Sequence, residues 1–162
     1  MGGAIHVEST LHAGSAFTVE LAFARMEQPA VIFDVKTEAH DFAGARVLLA
    51  EDNLMNMEIA KATLCAWNLN VDQAWNGKEA VSMFLQAPEG TYKAILMDVH
   101  MPEMDGYQAT QAIRACAHAQ AADIPIIAMT ADVFAEDVAE AIHAGMNGHI
   151  GKPIEKSVLL EM

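Results

Sequence analysis

Basic residues are scarce in this chain of 162 residues, where 9 lysines and arginines stand against 22 aspartates and glutamates and leave a net charge of −13. That charge repels the phosphate backbone of nucleic acids and anionic lipid surfaces, so we expect neither nucleic-acid binding nor membrane contact by this chain. Long apolar runs are also missing, because none approaches the roughly 20 residues of a membrane-spanning helix. The first residues lack the basic and apolar segments of a signal peptide.

Cysteine is equally scarce: Cys65 and Cys116 show no metal-site spacing, and the seven histidines show no zinc-ligand pattern. We therefore expect two buried free thiols in a reducing compartment, and hence a cytoplasmic location, with room for a membrane anchor elsewhere in a longer parent protein. Apolar residues, by contrast, make up 53% of the chain. That share is enough for a packed core and excludes a disordered chain.

The N-terminal part of the chain predicts a β-hairpin. Residues 4–9 and 16–23 alternate between apolar and polar side chains, and a turn-like stretch with Gly14 lies between them. An isolated hairpin is marginal in water, so this one needs a partner sheet. Residues 26–44, which contain Pro29 and several charges, predict a linker.

From residue 45 onward, short apolar runs alternate with helical stretches. Strands are predicted at 46–50, 71–75, 94–98, 124–129 and 148–150, and helices at 54–67, 78–85, 106–117, 135–144 and from 155 onward. Asn76 and Gly77 predict a turn between the second strand and the second helix. Strands that alternate with helices form a parallel sheet covered on both faces, so the pattern predicts a doubly wound α/β fold.

Polar side chains follow four of these strands. The first strand is followed by Glu51 and Asp52, the third ends in Asp98, and the fourth and fifth are followed by Thr130 and Lys152. Because such sheets bind ligands at the carboxyl ends of their strands, we expect these side chains to lie together. Clustered carboxylates repel one another unless a cation joins them, and Mg²⁺ prefers oxygen ligands. Asp98 is the best-placed nucleophile towards phosphorus, with the Thr130 hydroxyl and the Lys152 ammonium available to the transferred oxygens.

Four segments resemble one known family, the response-regulator receiver domain: VLLAEDN at 47–53, LMDVHMPEMDG at 96–106, IIAMTA at 126–131 and GMNGHIGKPI at 145–154. The resemblance covers residues 45–162, with the last helix expected to be truncated by the chain end. It implies a flavodoxin-like five-stranded parallel sheet of order 2-1-3-4-5 with helices on both faces.

The resemblance also implies a role for each acidic residue. Asp98 is implied to be the phosphoacceptor. Mg²⁺ or Mn²⁺ is implied to bind Glu51, Asp52 and Asp98 together with the backbone carbonyl of His100. Such a domain catalyses only its own phosphorylation and dephosphorylation at the aspartate, so whether the chain counts as an enzyme stays open.

The remaining implied roles belong to residues at the ends of the last two strands. Thr130 and Lys152 are implied to contact the phosphoryl group, and the peptide bond between Lys152 and Pro153 is expected to be cis. Thr130 is also half of the family's switch, in which an aromatic residue three positions before the lysine turns inward. His149 stands at that position here, and a histidine is polar and titrates.

Residues 2–24 (GGAIHVESTLHAGSAFTVELAFA) resemble the end of a histidine-kinase ATPase domain. The implied layout is an ATPase-domain remnant at 1–25, a linker at 26–44 and a receiver domain at 45–162, which is the arrangement of a hybrid sensor histidine kinase. The ATP-binding boxes and the phosphorylatable histidine of such a kinase do not occur in this chain. The implied partners are the kinase's phosphohistidine domain, a histidine phosphotransfer protein, or both.

Alternatives to this interpretation exist at two levels. Taken alone, each site residue fits an ordinary role as a helix cap, a turn cap or a solvated charge. A phosphatase of the haloacid-dehalogenase type also uses an aspartate after a strand, but it needs a second acid where His100 stands. The other alternative is a receiver-like module that binds partners without phosphorylation. We also expect truncation of the last helix to expose the apolar Val158, Leu159 and Leu160, and a homodimer to form through these residues and the hairpin.

Overall fold

A computed structural model describes residues 3–10, 14–21, 42–130 and 135–161. The chain divides into two compact units, residues 1–38 and residues 39–162. The predicted linker at 26–44 lies outside the described residues except for its last three positions.

The first unit contains the predicted hairpin. Strand β1 (Gly3–Thr10) pairs antiparallel with strand β2 (Gly14–Leu21). The register places Ile5 opposite Val19 and Val7 opposite Phe17, and all four side chains are more than half exposed. Alternate residues of a strand share one face, so these four form a single apolar face on the hairpin.

The second unit is built on a five-stranded parallel sheet of order β4-β3-β5-β6-β7. Its strands are β3 (Arg46–Ala50), β4 (Asn70–Ala74), β5 (Ala94–Asp98), β6 (Ile126–Thr130) and β7 (Gly148–Gly151). Counted within this unit alone, the order is 2-1-3-4-5, which confirms the predicted fold class.

In the part of this unit that the structure describes, five helices connect or follow these strands: α1 (Leu54–Ala66), α2 (Gly77–Gln86), α3 (Gly106–Ala115), α4 (Ala135–Ala144) and α5 (Lys156–Glu161). The side chains of Asn53, Asn76 and Asp105 cap the first turns of α1, α2 and α3. Each cap follows a strand of the sheet, so the chain turns from strand to helix within a few residues. None of the helices in the described ranges is long and apolar enough to cross a bilayer.

Hydrogen bonding explains where the predicted strand ends differ from the observed ones. Strand β4 begins one residue early because the Asn70 N–H donates to the carbonyl of Ala45 at 2.9 Å. It stops before Trp75, whose N–H donates instead to the carboxylate of Glu79 at 2.5 Å. Strand β6 begins only after Pro125, which has no N–H to offer the ladder.

The core lies in two layers, one on each face of the sheet. Leu48, Ile95 and Met97 face α2, α3 and α4, whereas Leu49 and Leu96 face α1 and α5. Adjacent residues of one strand thus enter opposite layers, as the pleat requires. Each fully buried side chain of this size contributes roughly 1.5–3 kcal/mol by leaving water.

Two predictions about exposure are wrong. Cys65 is exposed and Cys116 is half-buried, both as free thiols. Cys65 is exposed because the buried positions of α1 are Met57 and Leu64 rather than the cysteine beside Leu64. Val158 and Leu159 are not left uncovered either, since they are half-buried against the core layer of α1 and α5. The side chain of Leu160 lies outside the described residues.

Candidate functional site

Three carboxylates meet at the carboxyl edge of the sheet. Glu51 and Asp52 follow β3 directly, and Asp98 is the last residue of the neighbouring strand β5. One oxygen from each lies within 4.8 Å of the others. Glu51 is only 1% exposed and Asp98 7%, whereas Asp52 is exposed to solvent. The parallel pairing of β3 with β5 therefore brings together the acids that the sequence predicts as one site.

The ammonium group of Lys152 lies between the two buried carboxylates. Its Nζ is 2.6 Å from Oε2 of Glu51 and 2.7 Å from Oδ2 of Asp98. The lysine backbone is held at the end of β7, where its N–H donates to the carbonyl of Thr130 at 2.9 Å. The peptide bond that follows, to Pro153, is cis.

Burial and charge act in opposite directions on this pair. Burial raises the pKa of Asp98 above its usual value, and the hydrogen bond from Lys152 only partly offsets that rise. Burial alone would lower the pKa of Lys152, but its hydrogen bonds to Asp98 and Glu51 outweigh this and leave that pKa raised. The site therefore favours a protonated lysine and makes the ionised form of Asp98 less favourable than that of a carboxylate in water.

A polar contact on Glu51 was missed from the sequence. Oε1 of Glu51 accepts a hydrogen bond from the side chain of Asn56 at 3.1 Å and one from the backbone of Asn53 at 3.3 Å. The two oxygens of Glu51 thus have different partners, with Asn56 on one and Lys152 on the other. The cap of α1 is Asn53, so Glu51 is free of the helix-capping role that its position would otherwise suggest.

The backbone around Asp98 is closely packed. The N–H of Gly106, at the start of α3, donates to the carbonyl of Val99 at 2.9 Å. A Cβ atom at Gly106 would overlap the carbonyl oxygen of Asp98 and lie 3.0 Å from Cα of Val99. A glycine is required here, because only its bare Cα lets the helix approach the end of β5 so closely.

The other predicted site residues lie around the same edge. Thr130 ends β6 and is half-buried. His100 is exposed, and its backbone N–H donates to the carboxylate of Asp98. His149 lies in β7 opposite Ala128 and is half-buried. Its neighbour Ile150 packs in the layer of α1 and α5, so the alternation of the strand directs His149 to the other face.

A groove of ≈ 270 Å³ opens beside Glu51 and Lys152. One wall is α1, through Ile59, and the other is the segment after β7, through Pro153. Leu54 and Met55, in the first turn of α1, are 65% and 72% exposed. The acidic cluster is thus bordered by an apolar, solvent-facing surface.

The chain belongs to the response regulator receiver domain family, whose sequence profile matches residues 47–162. Among solved structures, it is similar to the receiver domain of a sensor histidine kinase from Pseudomonas aeruginosa with a magnesium ion coordinated in its active-site cleft. The identity is 36% and the TM-score 0.64, over 74% of this chain and 93% of that one. The receiver domain of the histidine kinase CKI1 from Arabidopsis thaliana, complexed with Mg²⁺, is 30% identical with a TM-score of 0.66, over 75% and 92% of the two chains.

Curated sequence relatives are histidine kinases. "Probable histidine kinase 2" of Oryza sativa subsp. indica is 37% identical in an alignment of 165 positions that covers 94% of this chain and 15% of that protein. "Probable histidine kinase 4" of Oryza sativa subsp. japonica is 37% identical in an alignment of 136 positions that covers 73% of this chain and 13% of that protein. The chain therefore spans only a small part of the length of these relatives, and it corresponds to a receiver domain of the kind that histidine kinases carry in phosphorelay signalling.

Proposed function

We propose that Asp98 accepts a phosphoryl group from a phosphohistidine, carried by a kinase or by a histidine phosphotransfer protein. The observation that carries this proposal is the contact of a buried Asp98 with Lys152 at the edge where Glu51 and Asp52 also meet. A carboxylate oxygen of Asp98 attacks phosphorus, the P–N bond to the donor imidazole breaks, and an acyl phosphate forms. The donor histidine keeps the electron pair of that bond and takes up a proton.

Lys152 and Thr130 have the positions needed to support this transfer. The Lys152 ammonium already contacts Oδ2 of Asp98, so it lies beside the oxygens that the phosphoryl group would bring. Its positive charge favours the negative charge that these oxygens carry during transfer. Thr130 ends the strand next to β7, and we assign its hydroxyl a contact with the same group.

A divalent cation fits the charge of this cluster. Three carboxylates and one ammonium leave two negative charges uncompensated, and all the side-chain donors are oxygens, which suits Mg²⁺ or Mn²⁺. We assign its ligands to Glu51, Asp52, Asp98 and the backbone carbonyl of His100. When bound, the cation supplies neutralisation of the charge on the transferred phosphoryl group. The magnesium present in the two similar receiver structures supports this assignment.

The acyl phosphate is then lost to water or passed to a histidine of a phosphotransfer partner. We propose that Thr130 and His149 form the switch that reports the phosphorylated state. Both are half-buried in neighbouring strands: Thr130 ends β6 opposite Gly151, and His149 lies two residues before Gly151 in β7. Because His149 is polar, its inward position is less favourable than that of an aromatic ring, and we expect a weak switch.

We further propose that the chain is part of a cytoplasmic region of a hybrid histidine kinase. Residues 1–25 would be the end of its ATPase domain, residues 26–44 a linker and residues 45–162 the receiver. The alignment with the rice kinase supports this proposal. An alignment that covers 94% of this chain must include β2, so the similarity extends beyond the receiver into the hairpin. The exposed apolar face of the hairpin also agrees with a strand pair that belongs to a larger sheet.

The test is intact-mass measurement after incubation with acetyl phosphate, in Mg²⁺ and in EDTA. We expect a gain of one phosphoryl group in Mg²⁺ that disappears in EDTA and in Asp98→Asn. Asp123→Asn, which removes an exposed carboxylate away from the cluster, is the matched control and should behave like the native chain. Uptake by Asp98→Asn at the native level would refute the assignment. Repeated turnover of a free phosphomonoester would instead favour the phosphatase.

A further inference from the structure

We infer that Gly77, which lies outside the acidic cluster, is a positioning residue for the loop that follows Asp98 and carries His100. This inference deepens the proposed function and rests on it for its consequence at the metal site. The loop is residues 99–105, which connect the end of β5 to α3. Gly77 is the first residue of α2, so it comes from a separate part of the fold.

Besides the exposed ion pair of Lys78 with Glu103, α2 contacts this loop backbone to backbone. The N–H of Gly77 donates to the carbonyl of Met104 at 3.1 Å. A Cβ atom on Gly77 would overlap that carbonyl oxygen, and it would lie 2.9 Å from Cγ of Met104 and 3.0 Å from Cβ of Ala109. The overlap with a backbone atom cannot be relieved by a side-chain rotation, so any larger residue must move the loop or the helix.

The loop itself needs such a restraint. Glu103 has φ of 65°, a left-handed conformation that residues other than glycine rarely adopt. The turn is closed by a hydrogen bond from the Met104 N–H to the carbonyl of Pro102 at 2.8 Å. A strained turn persists where the surrounding structure holds it. Gly77 donates its hydrogen bond to Met104, the residue directly after the strained Glu103.

Two hydrogen bonds hold the start of α2 in position. The side chain of Asn76 accepts the N–H of Glu79 at 2.9 Å, and the Glu79 carboxylate accepts the N–H of Trp75 at 2.5 Å. These two hydrogen bonds fix the start of α2, and with it the position of Gly77. Gly106 holds the other end of the loop through its contact with Asp98. The loop is therefore clamped between two glycines, one near each end.

The test compares Gly77→Ala with Gly145→Ala in the full chain. Gly145 has φ of 97° and caps α4 at the opposite edge of the sheet, so its substitution strains the fold without touching the loop. In metal-free protein we expect Gly77→Ala to shift the NMR amide signals of residues 98–106, and Gly145→Ala to leave them in place. In a Mg²⁺ titration we expect Gly77→Ala to weaken binding about tenfold, as loss of an outer partner of a metal ligand does.

A second variant covers the case in which Gly77→Ala does not fold. Asn76→Ala adds no atom but removes the cap that places Gly77, and it should speed amide hydrogen exchange at Met104 and Gly106. Unchanged amide signals and unchanged Mg²⁺ affinity in Gly77→Ala would overturn the inference, as would equal effects of both glycine variants. If the native chain shows no Mg²⁺-dependent shift, the proposed function fails, and the metal-free signals alone then decide the role of Gly77.

Discussion

Lys152→Met should destabilise the metal-free chain by about 3–5 kcal/mol at neutral pH, because it breaks a buried ion pair from one side only. The Nζ atom that is lost contacts Glu51 at 2.6 Å and Asp98 at 2.7 Å. With Glu51 1% exposed and Asp98 7% exposed, water cannot replace the ammonium fully. The two carboxylates then repel each other without a counter-charge. Methionine fills most of the lysine's volume, so the loss of packing is a minor part of the effect.

The same change has a defined pH dependence. The raised pKa of Lys152 means that its contribution to stability is complete below the ordinary lysine value of 10.5 and is lost as the pH rises through the folded value. In Lys152→Met the two carboxylates lose their counter-charge and bind protons more readily. The stability difference between native chain and variant should therefore shrink on acidification, as those carboxylates become neutral.

Urea unfolding followed by far-ultraviolet circular dichroism in EDTA measures the effect, at pH 7 and again at mildly acidic pH. Lys78→Met is the matched control, because its ion pair with Glu103 has both side chains more than half exposed and contributes about 0–1 kcal/mol. A loss at pH 7 no larger than that of Lys78→Met would refute the reasoning. A loss that is independent of pH would show that packing, rather than unpaired charge, dominates.

Three further predictions concern single groups. Asp98→Asn should raise the stability of the metal-free chain at pH 7, because the raised pKa of Asp98 means that folding disfavours its ionised form. The urea unfolding midpoints of the variant and the native chain should converge as the pH falls through that pKa. Gly106→Ala should displace Asp98, and a displacement of 1 Å should slow phosphoryl uptake from acetyl phosphate by about a hundredfold. Intact-mass time courses on samples with the same folded fraction measure this rate, and a rate equal to that of the native chain would contradict the prediction. Burial and the hydrogen bond to Asp72 raise the pKa of Tyr92 to about 12. The tyrosinate absorbance step near pH 12 should be absent from Tyr92→Phe, and the stability that Tyr92 contributes is complete below pH 10 and lost as the pH rises to about 12.

The order of strands and helices could be predicted from the sequence because it depends on local patterns. Runs such as Val47–Leu49 and Ile95–Met97 are too uniformly apolar for a surface strand, and the helical stretches between them indicate parallel connections. Parallel strands align their carboxyl ends, so the sequence predicts Glu51, Asp98 and Lys152 at one edge of the sheet. Strand ends were predicted less well, because at Trp75 a side chain four residues away competes for the backbone N–H.

The contacts inside the site depended on tertiary structure. No pattern in the chain indicates that Lys152 lies between two carboxylates, that Asn56 holds the second oxygen of Glu51, or that Gly77 meets the loop after Asp98. These pairs are separated in sequence and are joined only when the sheet and helices pack.

The sequence by itself therefore determined which residue types reach the carboxyl edge of the sheet, since the alternation of strands with helices makes the strands parallel and brings their carboxyl ends to one edge. Only the tertiary structure decided which atoms touch there, how deeply each charge is buried and in which direction the pKa values of Asp98 and Lys152 move. The physical reason is that desolvation and hydrogen bonding act over a few ångströms, a scale set by the packing of distant segments rather than by neighbours along the chain.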